Sequence, residues 1–166
     1  MKATSTKIKS PAKKGVKEKS FPVVAIGASA GGLEAFRSFF ASTDPDTGMA
    51  YVLVQHLSPD HKSMLADLLG KSTTMPVIEA VDGVKVTANH VFVIPPDATM
   101  TISGGVLKIV HPAPPRERRR PIDTFFESLA QDQGDRAVCI ILSGTGSDGA
   151  IGLTAIKEHG GLTLAQ

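Results

Sequence analysis

Three side chains in this 166-residue sequence are of the types used together in nucleophilic catalysis, and each stands just past an apolar run. Ser29 lies in Gly27-Ala28-Ser29-Ala30-Gly31, after Pro22-Val23-Val24-Ala25-Ile26. His56 follows the apolar residues 49–54 and Gln55. Asp148 lies in Gly144-Thr145-Gly146-Ser147-Asp148-Gly149, after the apolar residues 137–142. A serine hydroxyl attacks poorly until a base takes its proton, an imidazole near neutral pH is such a base, and a carboxylate can orient the ring and stabilise its cation. The first segment matches G-x-S-x-G between a predicted strand and a predicted helix, the context that motif requires. There the serine oxygen would feel the positive helix end, and nearby backbone N–H groups could hold an oxyanion. Each residue also has a plainer reading. Ser29 would serve as an N-cap in a glycine-rich turn, His56 as a structural hydrogen-bonder, and Ser147 or Asp148 as the cap of the next helix. The chain order Ser, His, Asp differs from the familiar hydrolase orders, but a triad is defined by geometry and role.

The same segments fail as phosphate or metal sites. A dinucleotide fingerprint needs a second glycine where Ser29 stands and an acid at the end of the next strand, where Gln55-His56 are found. No Gly-Lys-Ser/Thr is present for a P-loop. His61, in the first turn of a predicted helix, reads as a surface residue; His90, His111 and His159 lack partners at ligand spacing, and a single cysteine, Cys139, excludes both a thiolate zinc cluster and an internal disulfide. No cofactor is therefore expected. Without tryptophan and with one tyrosine, the chain has little for a base-stacking platform, so no nucleic-acid partner is expected. No apolar run reaches the ~20 residues needed to span a bilayer, so no membrane insertion is expected.

Three chemistry-bearing residues so far apart in sequence can meet only at a common rim. The apolar runs at 22–26, 49–54 and 137–142 read as strands buried on both faces. Helices are predicted at about 31–41, from Ser58-Pro59-Asp60 onward, from Pro121, and over 151–158, with a last strand at 162–165. Strands alternating with helices imply an α/β fold with a mostly parallel, doubly wound, Rossmann-like sheet, in which ligands sit beyond the carboxyl ends of the strands. Residues 76–111 read as a β-rich, antiparallel insertion, with a hairpin around Ser103-Gly104-Gly105.

The net charge of +2 conceals a split. Residues 1–20 hold seven lysines and one acid, whereas 21–166 hold 11 basic and 15 acidic side chains. The lysine-rich tail has almost no apolar content and reads as disordered, leaving 21–166 as the folded domain. Ending at Gln166 directly after a strand, that domain reads as incomplete at its C-terminus. The run Arg116, Arg118, Arg119, Arg120 reads either as a solvated loop or as a surface for an acidic substrate helix.

Residues 24–32, Val54-Gln55-His56-Leu57-Ser58-Pro59 and residues 142–149, supported by 91–96 and Arg120-Pro121-Ile122-Asp123, resemble the signature segments of the chemotaxis protein-glutamate methylesterase family, the CheB-type catalytic domain. The resemblance implies a cytoplasmic serine hydrolase that removes methyl groups from glutamate γ-methyl esters on chemoreceptor-type proteins and that acts on glutamine amides as a further activity. It makes Ser29 the nucleophile, His56 the base and Asp148 the orienting acid. Ala30 stands where many members have Thr, and Thr145 where many have Met near the presumed oxyanion site. A lysine-rich tail occupies the place of the family's receiver domain, so the sequence is most similar to the esterase segment of hybrid sensor proteins, where the partners are methyltransferase and sensory domains. A noncatalytic, methylesterase-like signalling module is the alternative.

Overall fold

The structure, a computed structural model, describes residues 20–29, 32–56, 64–115, 119–142 and 146–166. Residues 1–19 of the expected lysine-rich tail and the expected cap at Ser58-Pro59-Asp60 lie outside the described residues.

The elements run β1 (Val23–Ala28), α1 (Gly32–Ala41), β2 (Ala50–Gln55), α2 (Leu65–Leu69), β3 (Val77–Glu79), β4 (Val91–Val93), β5 (Thr99–Ser103), β6 (Val106–Val110), α3 (Pro121–Gln133), β7 (Ala137–Leu142), α4 (Ala150–Glu158) and β8 (Leu162–Ala165). Six strands form one parallel sheet in the order β3-β4-β2-β1-β7-β8. Every residue of β1 is buried, as is all of β2 except Gln55. Apolar side chains on both faces therefore need cover on both, and the amphipathic helices supply it. On one face Phe36 and Phe40 of α1 and Leu65 and Leu69 of α2 pack on Val24, Ile26, Tyr51 and Leu53. On the other, Ile122, Phe125, Phe126 and Leu129 of α3 and Ile156 of α4 pack on Val23, Ala25, Val52 and Cys139. Burial pushes the Cys139 thiol far above its ordinary range, so it acts as a small apolar side chain.

The chain moves outward from β1 through β2, then returns across the sheet to β7 and β8. Strand order reverses between β1 and β7, and in open α/β sheets the ligand crevice lies beyond the strand ends at such a point.

The antiparallel reading of 76–111 needs correction. β3 and β4 pair in parallel with each other, and β4 pairs in parallel with β2, so both extend the main sheet. The physical reason is that all of Val91-Phe92-Val93 is buried, which suits an interior position in a parallel sheet better than a half-exposed hairpin. Among the described residues, β5 and β6 form an antiparallel pair, and Lys85 makes an isolated antiparallel bridge to Val106. That hairpin docks on α3: Ser128 Oγ accepts the Ile102 N–H at 3.1 Å, and the Asp132 carboxylate accepts the N–H groups of Gly104 and Gly105 at the turn.

Candidate active site

Register brings the candidate residues to one rim. Ala28 is the partner of Gln55 on one side and of Leu142 on the other. Ser29 and His56 therefore each sit one residue beyond paired positions on adjacent strands, which lie roughly 4.8 Å apart in any sheet. Asp148 arrives from the segment after β7, on the far side of β1.

The half-buried Ser29 is held by its backbone. Its carbonyl accepts the Gly32 N–H at 3.0 Å and the Gln55 side-chain amide at 3.3 Å. The turn from β1 into α1 is so tight that a Cβ at Gly32 would lie 2.4 Å from the Ala28 Cβ. Neither atom is the end of a flexible side chain, so only glycine fits at that position.

His56 Nε2 lies 2.8 Å from Asp148 Oδ2. The same oxygen accepts the Ile122 N–H at 3.1 Å, and Oδ1 accepts the Asp123 N–H at 2.9 Å. Both amides belong to the first turn of α3, whose opening residue, Pro121, has no N–H to offer. Asp148 thus occupies the positive end of a 13-residue helix. Burial tends to raise its pKa, but the His56 hydrogen bond, the two amide hydrogen bonds and the imidazole's charge outweigh that, and the carboxyl is held below its ordinary value. An ionised carboxylate only accepts hydrogen bonds, so Nε2 carries the proton between them. Nδ1 is then the nitrogen of the neutral ring able to accept a proton. The His56 side chain is 39% exposed and that of Asp148 only 11%, so the acid is sheltered while the ring meets solvent.

Beside His56 lies a cavity of about 90 Å³, walled in part by Gln55, Ile94, Pro95, Ala98, Pro114 and Pro121. Arg119 and Arg120 also reach it, but both are already paired. Arg119 lies 2.9 Å from Asp97 and donates to the Pro114 carbonyl at 2.6 Å, while Arg120 lies 2.6 Å from Asp123. The basic run read from the sequence is therefore engaged within the chain at these two positions, and Arg116 and Arg118 lie outside the described residues.

The structure thus brings His56 and Asp148 into hydrogen-bond contact and sets Ser29 at the same rim. Reading Ser147 or Asp148 as the cap of α4 needs correction. The N-cap position is Gly149, without a side-chain bond, and the Asp148 carboxylate serves α3 instead. Ala30, Thr145 and His61 lie outside the described residues. His90, His111 and His159 each bond a backbone carbonyl through Nδ1. Sequence reasoning missed Gln55 as the clamp on Ser29 and Asp123 as a buried acid. The signal for Asp123 was an acid beside a proline-opened helix start, followed by an apolar helix face. No described helix is long and apolar enough to cross a membrane.

A doubly wound α/β domain with a histidine–carboxylate pair at its switch point is the class defined by fold and rim. Residues 24–166 match the family described as CheB methylesterase, and the chain belongs to that family. It is 38% identical over 148 residues to the protein-glutamate methylesterase/protein-glutamine glutaminase of Salmonella typhimurium strain LT2, and 39% identical over 148 residues to that of Escherichia coli K12. Each alignment covers 87% of this chain and 42% of the relative, so the chain spans less than half the length of these curated relatives. The crystal structure of the Thermotoga maritima CheB methylesterase catalytic domain superposes with a TM-score of 0.76 at 26% identity, covering 87% of this chain and 78% of that one.

Proposed function

We infer that this domain is a serine hydrolase of the cytoplasm that removes methyl groups from glutamate γ-methyl esters on chemoreceptor-type signalling proteins. The observation that carries the reading is the His56–Asp148 hydrogen bond, anchored on the start of α3 and set one strand from Ser29. Family membership and the names of the relatives support the substrate class.

In this reading Ser29 Oγ attacks the ester carbonyl carbon while neutral His56 takes the hydroxyl proton. Asp148 keeps the ring in one tautomer and stabilises the imidazolium that forms. Backbone N–H groups hold the tetrahedral oxyanion. His56 returns its proton to the departing methoxide, which leaves as methanol. Water, deprotonated by His56, then releases the glutamate carboxylate and restores the serine. The same steps would act on a glutamine side chain with ammonia as leaving group. In a longer protein, methyltransferase and sensory domains are the partners proposed for this domain.

The decisive experiment combines a fluorophosphonate probe with methanol release from methylated receptor membranes. Covalent labelling of wild type but not Ser29→Ala, together with methanol release by wild type alone, is the expected outcome. Absence of both in folded wild type would overturn the esterase reading and favour a noncatalytic signalling module.

A further inference from the structure

α3 and α4 both begin without a side-chain cap of their own: Arg120 at the start of α3 and Gly149 at the start of α4 make no capping bond. Their orphan amides are served by carboxylates exchanged between the two helices. Asp148, two residues ahead of α4, accepts the Ile122 and Asp123 N–H groups of α3. Asp123, in the first turn of α3, accepts the Gly152 N–H of α4 at 2.7 Å. The helices touch closely at this point, since a Cβ at Gly152 would lie 2.5 Å from the Phe126 Cβ and 3.2 Å from the Asp123 Cα.

Asp123 is only 3% exposed and is the one charged residue in the buried core among the described residues. Its second oxygen, Oδ2, lies 2.6 Å from an Arg120 guanidinium nitrogen, outside hydrogen-bond geometry, so the pair neutralises charge without a directed bond. A buried carboxylate is costly unless paired and hydrogen-bonded. Apolar packing between α3 and α4 would need no such group. What a carboxylate adds here is direction: it ties the start of α4, and hence the residues leading into it, to the helix end that binds Asp148.

The geometry points to Asp123 as a positioning residue that sets where the Asp148 carboxylate stands against His56. It touches no reacting atom. It acts by locking the first turn of α4 to the first turn of α3, so that Asp148 meets both amides and the imidazole together. As a catalytic statement this rests on the esterase reading above; as a statement about ring orientation it stands without it.

The test is ¹⁵N NMR of the His56 ring in wild type, Asp123→Asn and Asp123→Ala, with Asp148→Asn marking the signature of a lost carboxylate contact. Far-UV circular dichroism confirms folding, and kcat and KM are measured on a methyl-ester substrate. Asp123→Asn keeps the shape and one acceptor and so guards against a variant that fails to fold. Folded Asp123→Ala is expected to lose the Nε2-protonated signature of wild type, whereas Asp123→Asn, which keeps an oxygen to accept the Gly152 N–H, is expected to retain it. The kcat of Asp123→Ala is expected to fall about 10- to 100-fold at nearly constant KM, the usual scale for a small misplacement of a reacting group, with Asp123→Asn close to wild type. A wild-type ring signature in folded Asp123→Ala, or its loss in folded Asp123→Asn, would overturn this positioning role and leave Asp123 as a packing residue. If wild type shows no turnover, the esterase reading fails while the NMR comparison still decides this one.

Discussion

The two sides of β1 hold their site residues by different physics. On the α1 side, Ser29 is placed by steric exclusion. A glycine admits a turn that any Cβ would block, and backbone and side-chain amides clamp the Ser29 carbonyl. On the α3 side, Asp148 is placed by directed hydrogen bonds and charge, with two helix amides and an imidazole on one carboxylate. Steric placement is indifferent to pH and salt, whereas the electrostatic side depends on the protonation state of its members. In the proposed reaction Ser29, as nucleophile, needs a fixed position, and Asp148, as orienting acid, needs a fixed charge as well.

Substitutions on the two sides should therefore fail differently, and the largest effect belongs to the steric side. Ser29→Ala should leave the fold and melting temperature near wild type while lowering ester turnover by about 10⁶, the scale seen when a serine nucleophile is removed; measurable methanol release would break the assignment. On the electrostatic side, Asp148→Asn should lower kcat by roughly 10⁴, as when the acid of a triad can no longer hold the tautomer. Steady-state kinetics with KM followed separately checks this.

Gly32→Ala sharpens the contrast. Its Cβ would overlap that of Ala28, and forcing an atom into a packed site costs about 1–3 kcal/mol. Denaturant melts should show that loss equally at pH 5 and pH 8, since no charge is involved. The smallest effect is the pH response of Asp148. Its folded pKa is lowered, so the stability it contributes is complete above the ordinary carboxylate value of about 3.9 and is lost as pH falls through the folded value. Below about pH 5, the stability difference between wild type and Asp148→Asn in urea melts should shrink as pH falls and vanish in acid. A difference that grew as pH fell below about 5 would mean that the carboxylate is not held in its charged form.

Much of this layout was legible in the residues. β7, at 137–142, and β8, at 162–165, have the predicted bounds, because unbroken apolar runs between turn signals admit few alternatives. The placement of Ser29, His56 and Asp148 past three strand ends followed from the same runs. The partners of 77–79 and 91–93 were not legible. Short strands carry little periodicity, and whether they extend a parallel sheet or fold on themselves depends on which neighbour offers a free edge. Gln55 and Asp123 stayed hidden for a related reason: a polar side chain has meaning only once the group it bonds is known, and their bonding partners Ser29 and Gly152 lie 26 and 29 residues away.

By itself, the amino-acid order determined which segments are strands, which stretches are apolar on both sides, and therefore that polar groups would collect where strands stop. Only the folded chain decided that the histidine turns to a carboxylate two strands away and that this carboxylate caps a helix other than the one it precedes. The physical reason is range. Local preference and burial act over a few residues and are written along the chain, whereas hydrogen bonds between helix ends exist only after packing has brought those ends together.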